Sequence, residues 1–294
     1  MIATLMSSED PVYEWITAHK IPVGSWIRDL IDLLNTYAAG FFDFIATVLG
    51  SLIAGLTFVL LATPPTLTII LTAVGAYLLH RSIALVLFIV ASLLLVINLG
   101  YWQATMETLS LVFSATVLCV LFGVPIGIAA AHRPWLQAAI RPVLDLMQTI
   151  PTFVYLIPTL VLFGLGVVPG LISTVIFAIP APIRLTQLGI SSVPDQLREA
   201  GKAFGANSRQ LLFKVELPYA LPTIMAGVTQ CIMLSLSMVV VAALVGADGL
   251  GKPVVRALNS VNIGMGFEAG LAIVILAILL DRVCKRPERR AKRA

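Results

Sequence analysis

Long apolar runs separated by short polar punctuation make up most of the chain. A spanning helix needs roughly 20 mainly apolar residues. Segments 64–80, 82–99, 106–131, 143–166, 171–190, 219–245 and 264–281 meet or approach that length. The first is short, and its Pro64-Pro65 start suits a first helical turn, where no internal N–H is needed. Segment 42–62, "FDFIATVLGSLIAGLTFVLLA", is apolar enough to span as well. The residues before it follow another pattern. Ile21, Trp26, Ile27, Leu30, Leu33 and Leu34 recur at helical spacing among charges, as in a helix lying in a membrane interface.

Two topologies therefore stand open. One has eight spans and an N-terminus inside. The other has seven spans, an N-terminus outside, and 42–62 resting on or dipping into the outer leaflet. The acidic, cation-poor preamble gives no reason to hold the N-terminus in the cytoplasm, which favours seven. This divides the chain into an interfacial segment (1–63), a spanning domain (64–283) and a basic tail (284–294).

Composition supports an integral membrane protein built of helices. Of 294 residues, 59% are hydrophobic and 12% charged, half the roughly 25% typical of soluble proteins. The net charge of +4 divides unevenly: residues 1–43 hold two cations against six acids, so the remainder holds +8. Arg81, the turn with Arg133 and Arg141, segment 192–218 and the tail from Arg282 to Arg293 carry most of it, and alternation places these stretches on one side. The positive-inside rule makes that side the cytoplasm. Only Lys252 and Arg256, within 246–263, break the pattern. Cationic loops beside anionic lipid account for this charge better than nucleic acid does. The opening residues lack the basic and apolar regions of a cleaved signal peptide.

Two spans are interrupted by proline pairs, Pro151 with Pro158 and Pro180 with Pro182. Proline inside a helix frees a carbonyl and bends the axis, which lipid tolerates only where protein or water satisfies that group. The pairs read either as packing kinks or as discontinuous helices beside a translocation path. Arg184 follows the second pair, and reads either as a cation reaching for the interface or as an anchor relaying motion to the bent helix. Asp145 stands four residues after Arg141, spaced for an ion pair. Gln148, Thr149 and Tyr155, with Pro151, are the polar and bending positions of one span, and either line a path or make interhelical hydrogen bonds.

Segment "LREAGKAFGANSRQLLFKVELP", 197–218, holds four cations and two anions in an otherwise apolar chain. Ser192 three before Asp195 marks a helix start. Leu197, Ala200, Gly201 and Phe204 then form one narrow stripe, and Gly205 is a natural stop. Asn207 or Ser208 can cap a second helix, ending before Pro218. Small residues admit a neighbouring backbone, and Phe204 is shaped to fill a pocket, so the segment reads as a surface gripped by a soluble protein.

Glu199-Ala200-Gly201, then Gly205, then Val215-x-Leu217-Pro218 resembles the EAA loop of ABC-importer permeases at every spacing. Gly201 replaces a second alanine and Val215 an isoleucine. "ETLSLVFSATVLCVLFGVPIGIAAAHRPW", "RPVLDLMQTIPTFVYLIPTLVLFGLGVVPG" and "SMVVVAALVGADGLG" resemble the permeases for glycine betaine, proline betaine and choline over about residues 100–283.

The resemblance implies a type I importer transmembrane domain in a bacterial cytoplasmic membrane, acting as a homodimer. It implies docking of an ATP-binding subunit on Glu199, Ala200, Gly201, Phe204, Gly205, Leu217 and Pro218; the residues themselves, apart from the resemblance, leave Arg184, Pro180 and Pro182 as candidates for coupling. It also implies an extracytoplasmic substrate-binding protein, with ATP and magnesium held on the partner and no cofactor on this chain. The sequence contains no G-x-x-x-x-G-K-[ST] loop, and His19, His80 and His132 are scattered without metal spacing. Cys119, Cys231 and Cys284 read as small apolar side chains. The rival reading is a stand-alone secondary transporter or channel.

Overall fold

The computed structural model describes residues 11–284. The first ten residues and the basic tail from 285 onward lie outside that range. Among the described residues the chain is helical. After α1 (Pro11–Ala18) comes α2 (Val23–Ala62), a 40-residue helix with a kink at Ala38 (φ −120°, ψ 16°) between its charged first part and its apolar second part. Then follow α3 (Pro65–His80) and α4 (Ile83–Asn98), a hairpin turned at Arg81, whose φ of +49° is left-handed. Ser82 caps α4 by accepting the Leu85 N–H at 3.4 Å.

The central part comprises α5 (Trp102–His132), α6 (Pro134–Thr149), α7 (Thr152–Phe163), α8 (Val167–Ala178) and α9 (Pro180–Ser191). The elbow helices α10 (Asp195–Ala203) and α11 (Ser208–Leu211) lead through a π turn (Leu212–Glu216) into α12 (Leu217–Ala243), α13 (Gly251–Asn259) and α14 (Ile263–Cys284).

Five described helical segments are long and apolar enough to cross a membrane: Glu14–Ala62, Trp102–His132, Val167–Ser191, Ser208–Ala243 and Ile263–Cys284. Pro134–Thr149 with Thr152–Phe163 makes a sixth if a pair bent by 98° counts as one span. This differs from the seven runs read from hydropathy. The prolines at 64–65 and the turn at Arg81 trim α3 and α4 to 16 residues each, about 24 Å of helix against a hydrocarbon layer of about 30 Å. Segment 42–62 continues α2, stays mostly exposed, and touches the rest of the protein along one side. Ile53 is buried against α5, and its carbonyl accepts the Ser110 hydroxyl at 3.2 Å. A loose interfacial helix makes no such contact.

The main core joins α2, α5, α8, α12 and α14 through Ile53, Leu111, Leu171, Leu236, Val239 and Leu276. Large apolar side chains point outward from most long helices, Phe58, Leu78, Leu121 and Val274 among them, as lipid contact requires. Lipid supplies no hydrophobic drive between helices, so small residues decide how closely they approach. A side chain at Gly127 of α5 would stand 2.6 Å from the Ile183 carbonyl oxygen of α9, and one at Gly227 of α12 would meet Leu185 at 3.0 Å and the Pro182 backbone at 3.2 Å. Helix α9 is thus clamped between α5 and α12 at near-backbone contact. At the other end of α5, Thr108 Oγ1 accepts the Leu250 N–H at 2.8 Å and Gly249 turns at φ +116°, which folds 246–251 onto the helices.

Replacing Gly127 with valine overpacks the α5–α9 crossing, at a cost of about 1–3 kcal/mol. The thermal midpoint in detergent is expected to fall by several degrees. Gly55→Ala, where an added carbon meets nothing within 4 Å, is expected to leave it unchanged.

Candidate functional site

The polar segment after α9 forms a helix–turn–helix elbow. Helix α10 begins after Pro194, with no side-chain cap. Ser192 does not start it as the spacing suggested. Its hydroxyl donates to the Gly189 carbonyl at 2.8 Å and closes α9 instead, since a serine just past a helix end finds free carbonyls there. Gly205 sits at φ +78°, the left-handed stop expected of it. Its N–H donates to the Lys202 carbonyl at 2.9 Å, and the Ala206 N–H to the Gly201 carbonyl at 3.1 Å, closing the turn. Asn207 opens α11 with a reciprocal box: its Oδ1 accepts the Gln210 N–H and Gln210 Oε1 accepts the Asn207 N–H, both at 2.9 Å.

The second helix does not end before Pro218, as the sequence suggested. Pro218 has no N–H, and its ring would press on the carbonyl four residues earlier. The backbone widens into a π turn, in which the Leu217 N–H donates to the Leu212 carbonyl. The helix then continues into α12, so the elbow's second arm and a spanning helix form one rod, Ser208–Ala243.

Of the expected docking residues, Glu199, Ala200 and Gly205 are exposed, and Phe204 is 93% exposed. Leu197 and Phe213 are exposed nearby. A phenylalanine ring held in the open beside a fixed turn loses the stabilisation that burial gives, so it fits a surface awaiting a partner. Gly201 is half-buried and faces inward: a carbon added there would stand 2.9 Å from Leu211 Cδ1 and 3.5 Å from Val215 Cγ2. The glycine lets the two arms close on each other. Leu217 is half-buried and Pro218 exposed at the start of α12.

Behind the elbow lies an ionic cluster absent from the expected site. The Glu216 side chain is only 3% exposed. Its Oε2 accepts from His132 Nε2 at 2.9 Å, and Arg198 Nε lies 3.1 Å from Oε1, an ion pair too oblique for a hydrogen bond. Arg198 Nη2 donates to the Ile190 carbonyl at 2.7 Å, and its Nη1 is 3.5 Å from the exposed Asp195. No spacing rule joins positions 132, 198 and 216. The available hint was an acid at the edge of an apolar run, where an unpaired charge is costly.

Of the coupling candidates, Pro180 and Pro182 are buried inside the α5–α9–α12 crossing. The helix passes them without a sharp break, because Pro180 takes the first position of α9, where its missing N–H costs nothing. Arg184 pairs with Asp145 at 2.7 Å across α9 and α6. Asp145 therefore bonds across helices and not with Arg141, its neighbour one turn back. The pair is 40% and 55% exposed and borders a cleft of about 510 Å³ lined by Gln137, Arg141, Gln187 and Ser191. Exposure at that level limits it to about 0–1 kcal/mol.

The path candidates Gln148, Thr149, Pro151 and Tyr155 gather at the 98° break between α6 and α7. The Tyr155 hydroxyl donates to the Met147 carbonyl at 2.7 Å, capping a carbonyl freed at the end of α6. Thr149 turns back to the Leu146 carbonyl at 3.2 Å. Tyr155 is buried, Gln148 half-buried, and Thr149 and Pro151 exposed. Among the described residues, no group of three or more His, Cys, Asp or Glu is placed to hold a metal ion.

The family model described as the binding-protein-dependent transport system inner membrane component matches residues 123–293. The chain is 47% identical over 265 residues to the glycine betaine transport system permease protein OpuAB of Bacillus subtilis, covering 90% of this chain and 93% of that one. It is 44% identical over 275 residues to the glycine betaine/carnitine transport permease protein GbuB of Listeria monocytogenes, covering 92% and 97%. Its fold is similar to a chain in inward-facing structures of the MetNI methionine ABC transporter: TM-score 0.55 and 25% identity, over 61% of this chain and 94% of that one.

Valine at position 205 would have to adopt a left-handed conformation costing about 1–2 kcal/mol. Gly205→Val is expected to leave the spans assembled but loosen the elbow, so that trypsin cleaves at Lys202 and Arg209 several-fold faster. Gly201→Ala displaces only the flexible end of Leu211, and its cleavage rate is expected to match the parent chain.

Proposed function

The chain belongs to the inner membrane components of binding-protein-dependent transport systems, and from that premise we propose that it imports a quaternary ammonium osmolyte such as glycine betaine. The observation that carries the mechanism is the elbow itself: Phe204 stands 93% exposed on a turn fixed by Gly205, at the head of a rod running to Ala243. An ATP-binding subunit grips this turn, and closure of two such subunits displaces two elbows, one from each copy of the permease. Phe204 fills a pocket of the motor subunit, and Leu197 and Ala200 border it.

The elbow faces the cytoplasm. His132 touches Glu216 at 2.9 Å, which supports placing the Arg133–Arg141 turn at the same end as the cationic elbow. Positive charge collects there, as cytoplasmic loops require. The 246–263 region lies toward the other end of α5, where Leu250 bonds to Thr108, and is the face for a loaded substrate-binding protein. A quaternary ammonium group has no N–H to donate and favours aromatic cages, so selection belongs mainly to that protein. The permease supplies a passage that alternates between faces as α9 tilts with the elbow, with the bent α6–α7 segment beside it.

The secondary-transporter reading needs a carboxylate free to take up and release a coupling ion within the membrane. Asp145 pairs with Arg184, Glu107 accepts from Gln103 near the start of α5, and Glu268 is exposed near the start of α14. The reading with an external motor is therefore preferred.

The test is uptake of radiolabelled glycine betaine into vesicles holding the permease, its ATP-binding subunit and its binding protein. Accumulation is expected only with all three and ATP; accumulation by the permease alone would overturn the reading. Phe204→Ala removes the ring and about 2 kcal/mol of docking energy. The motor subunit is then expected to bind roughly thirtyfold more weakly, as titration in detergent measures.

A further inference from the structure

Glu216 ties together parts of the chain that the elbow alone does not reach. Its carboxylate is buried and meets His132, the last residue of α5, and Arg198 of α10. Arg198 in turn holds the Ile190 carbonyl in the last turn of α9. One acid thus fastens both elbow arms to the ends of α5 and α9, which are the helices that clamp each other at Gly127. The rest of the elbow is mostly exposed and stands on its own short hydrogen bonds.

We propose that Glu216 is a positioning residue for transport: its carboxylate makes the elbow, α5, α9 and α12 move as one body. A displacement applied at Phe204 then tilts the spanning helices, where otherwise it would flex the turn. The inference rests on the importer reading above.

His132 Nδ1 faces the Ile128 carbonyl at 2.9 Å and Nε2 faces Glu216 at 2.9 Å, so the ring is held between its own helix and the elbow.

The experiment uses the complete complex in vesicles and measures glycine betaine moved per ATP hydrolysed. In Glu216→Gln, the amide hydrogens face one of the two donors, so at most one contact survives. The variant is expected to assemble and hydrolyse ATP within twofold of the parent, with the ratio at least tenfold lower. His132→Leu is expected to uncouple in the same way. His132→Gln retains a donor and is expected to recover most of the ratio.

A parent-like ratio in Glu216→Gln would overturn the proposal, as would hydrolysis and transport falling together. If Glu216→Gln fails to accumulate in the membrane, the two His132 variants decide: equal ratios in His132→Leu and His132→Gln would overturn it. A parent complex that moves no glycine betaine with ATP would strike the importer reading instead.

Discussion

The near-backbone contact of α9 with α5 and α12 is the constraint on which the rest of the molecule depends. Lipid offers no solvent to squeeze helices together, so their association relies on shape. At Gly127, Gly189 and Gly227 a side chain would stand 2.6–3.2 Å from a neighbour's atoms, and glycine leaves the helices room to touch. A side chain at any of the three positions would push α9 away from its neighbours. The elbow is continuous with α12 and follows directly from α9, so its position is set by that crossing.

Proline plays different parts at Pro151, Pro180, Pro182 and Pro218. Pro151 breaks a span by 98° and leaves Tyr155 to cap the freed carbonyl of Met147. Pro180 opens a helix whose first turn needs no N–H, and Pro182 packs against Gly123 and Gly227. Pro218 widens one turn into a π turn and lets the helix run on. The same residue type bends, packs or is absorbed according to the neighbours that receive its carbonyls.

The features legible in the sequence were those written in consecutive residues. The left-handed stop at Gly205, the Asn207 cap, the outward Phe204 and the apolar runs all follow from local chemistry and periodicity. What escaped was set by contacts between distant segments. Hydropathy could not decide whether 42–62 packs inward, because that depends on Ser110 reaching Ile53 across 57 positions. The Asp145–Arg141 spacing was sound, yet Arg184 from another helix took the carboxylate. His132 read as an isolated imidazole because its partner lies 84 residues away. Pro218 looked like a terminator because local rules cannot register a π turn.

The central claim is that the turn at Phe204 and Gly205 is the handle held by the motor subunit. Its most direct measurement is thiol labelling of Phe204→Cys in membranes, with Cys284 replaced by serine and the buried Cys119 and Cys231 retained. With the permease alone, labelling at 204 should be fast, as 93% exposure requires. Adding the ATP-binding subunit should suppress it at least tenfold. Equal labelling in both preparations would contradict the account.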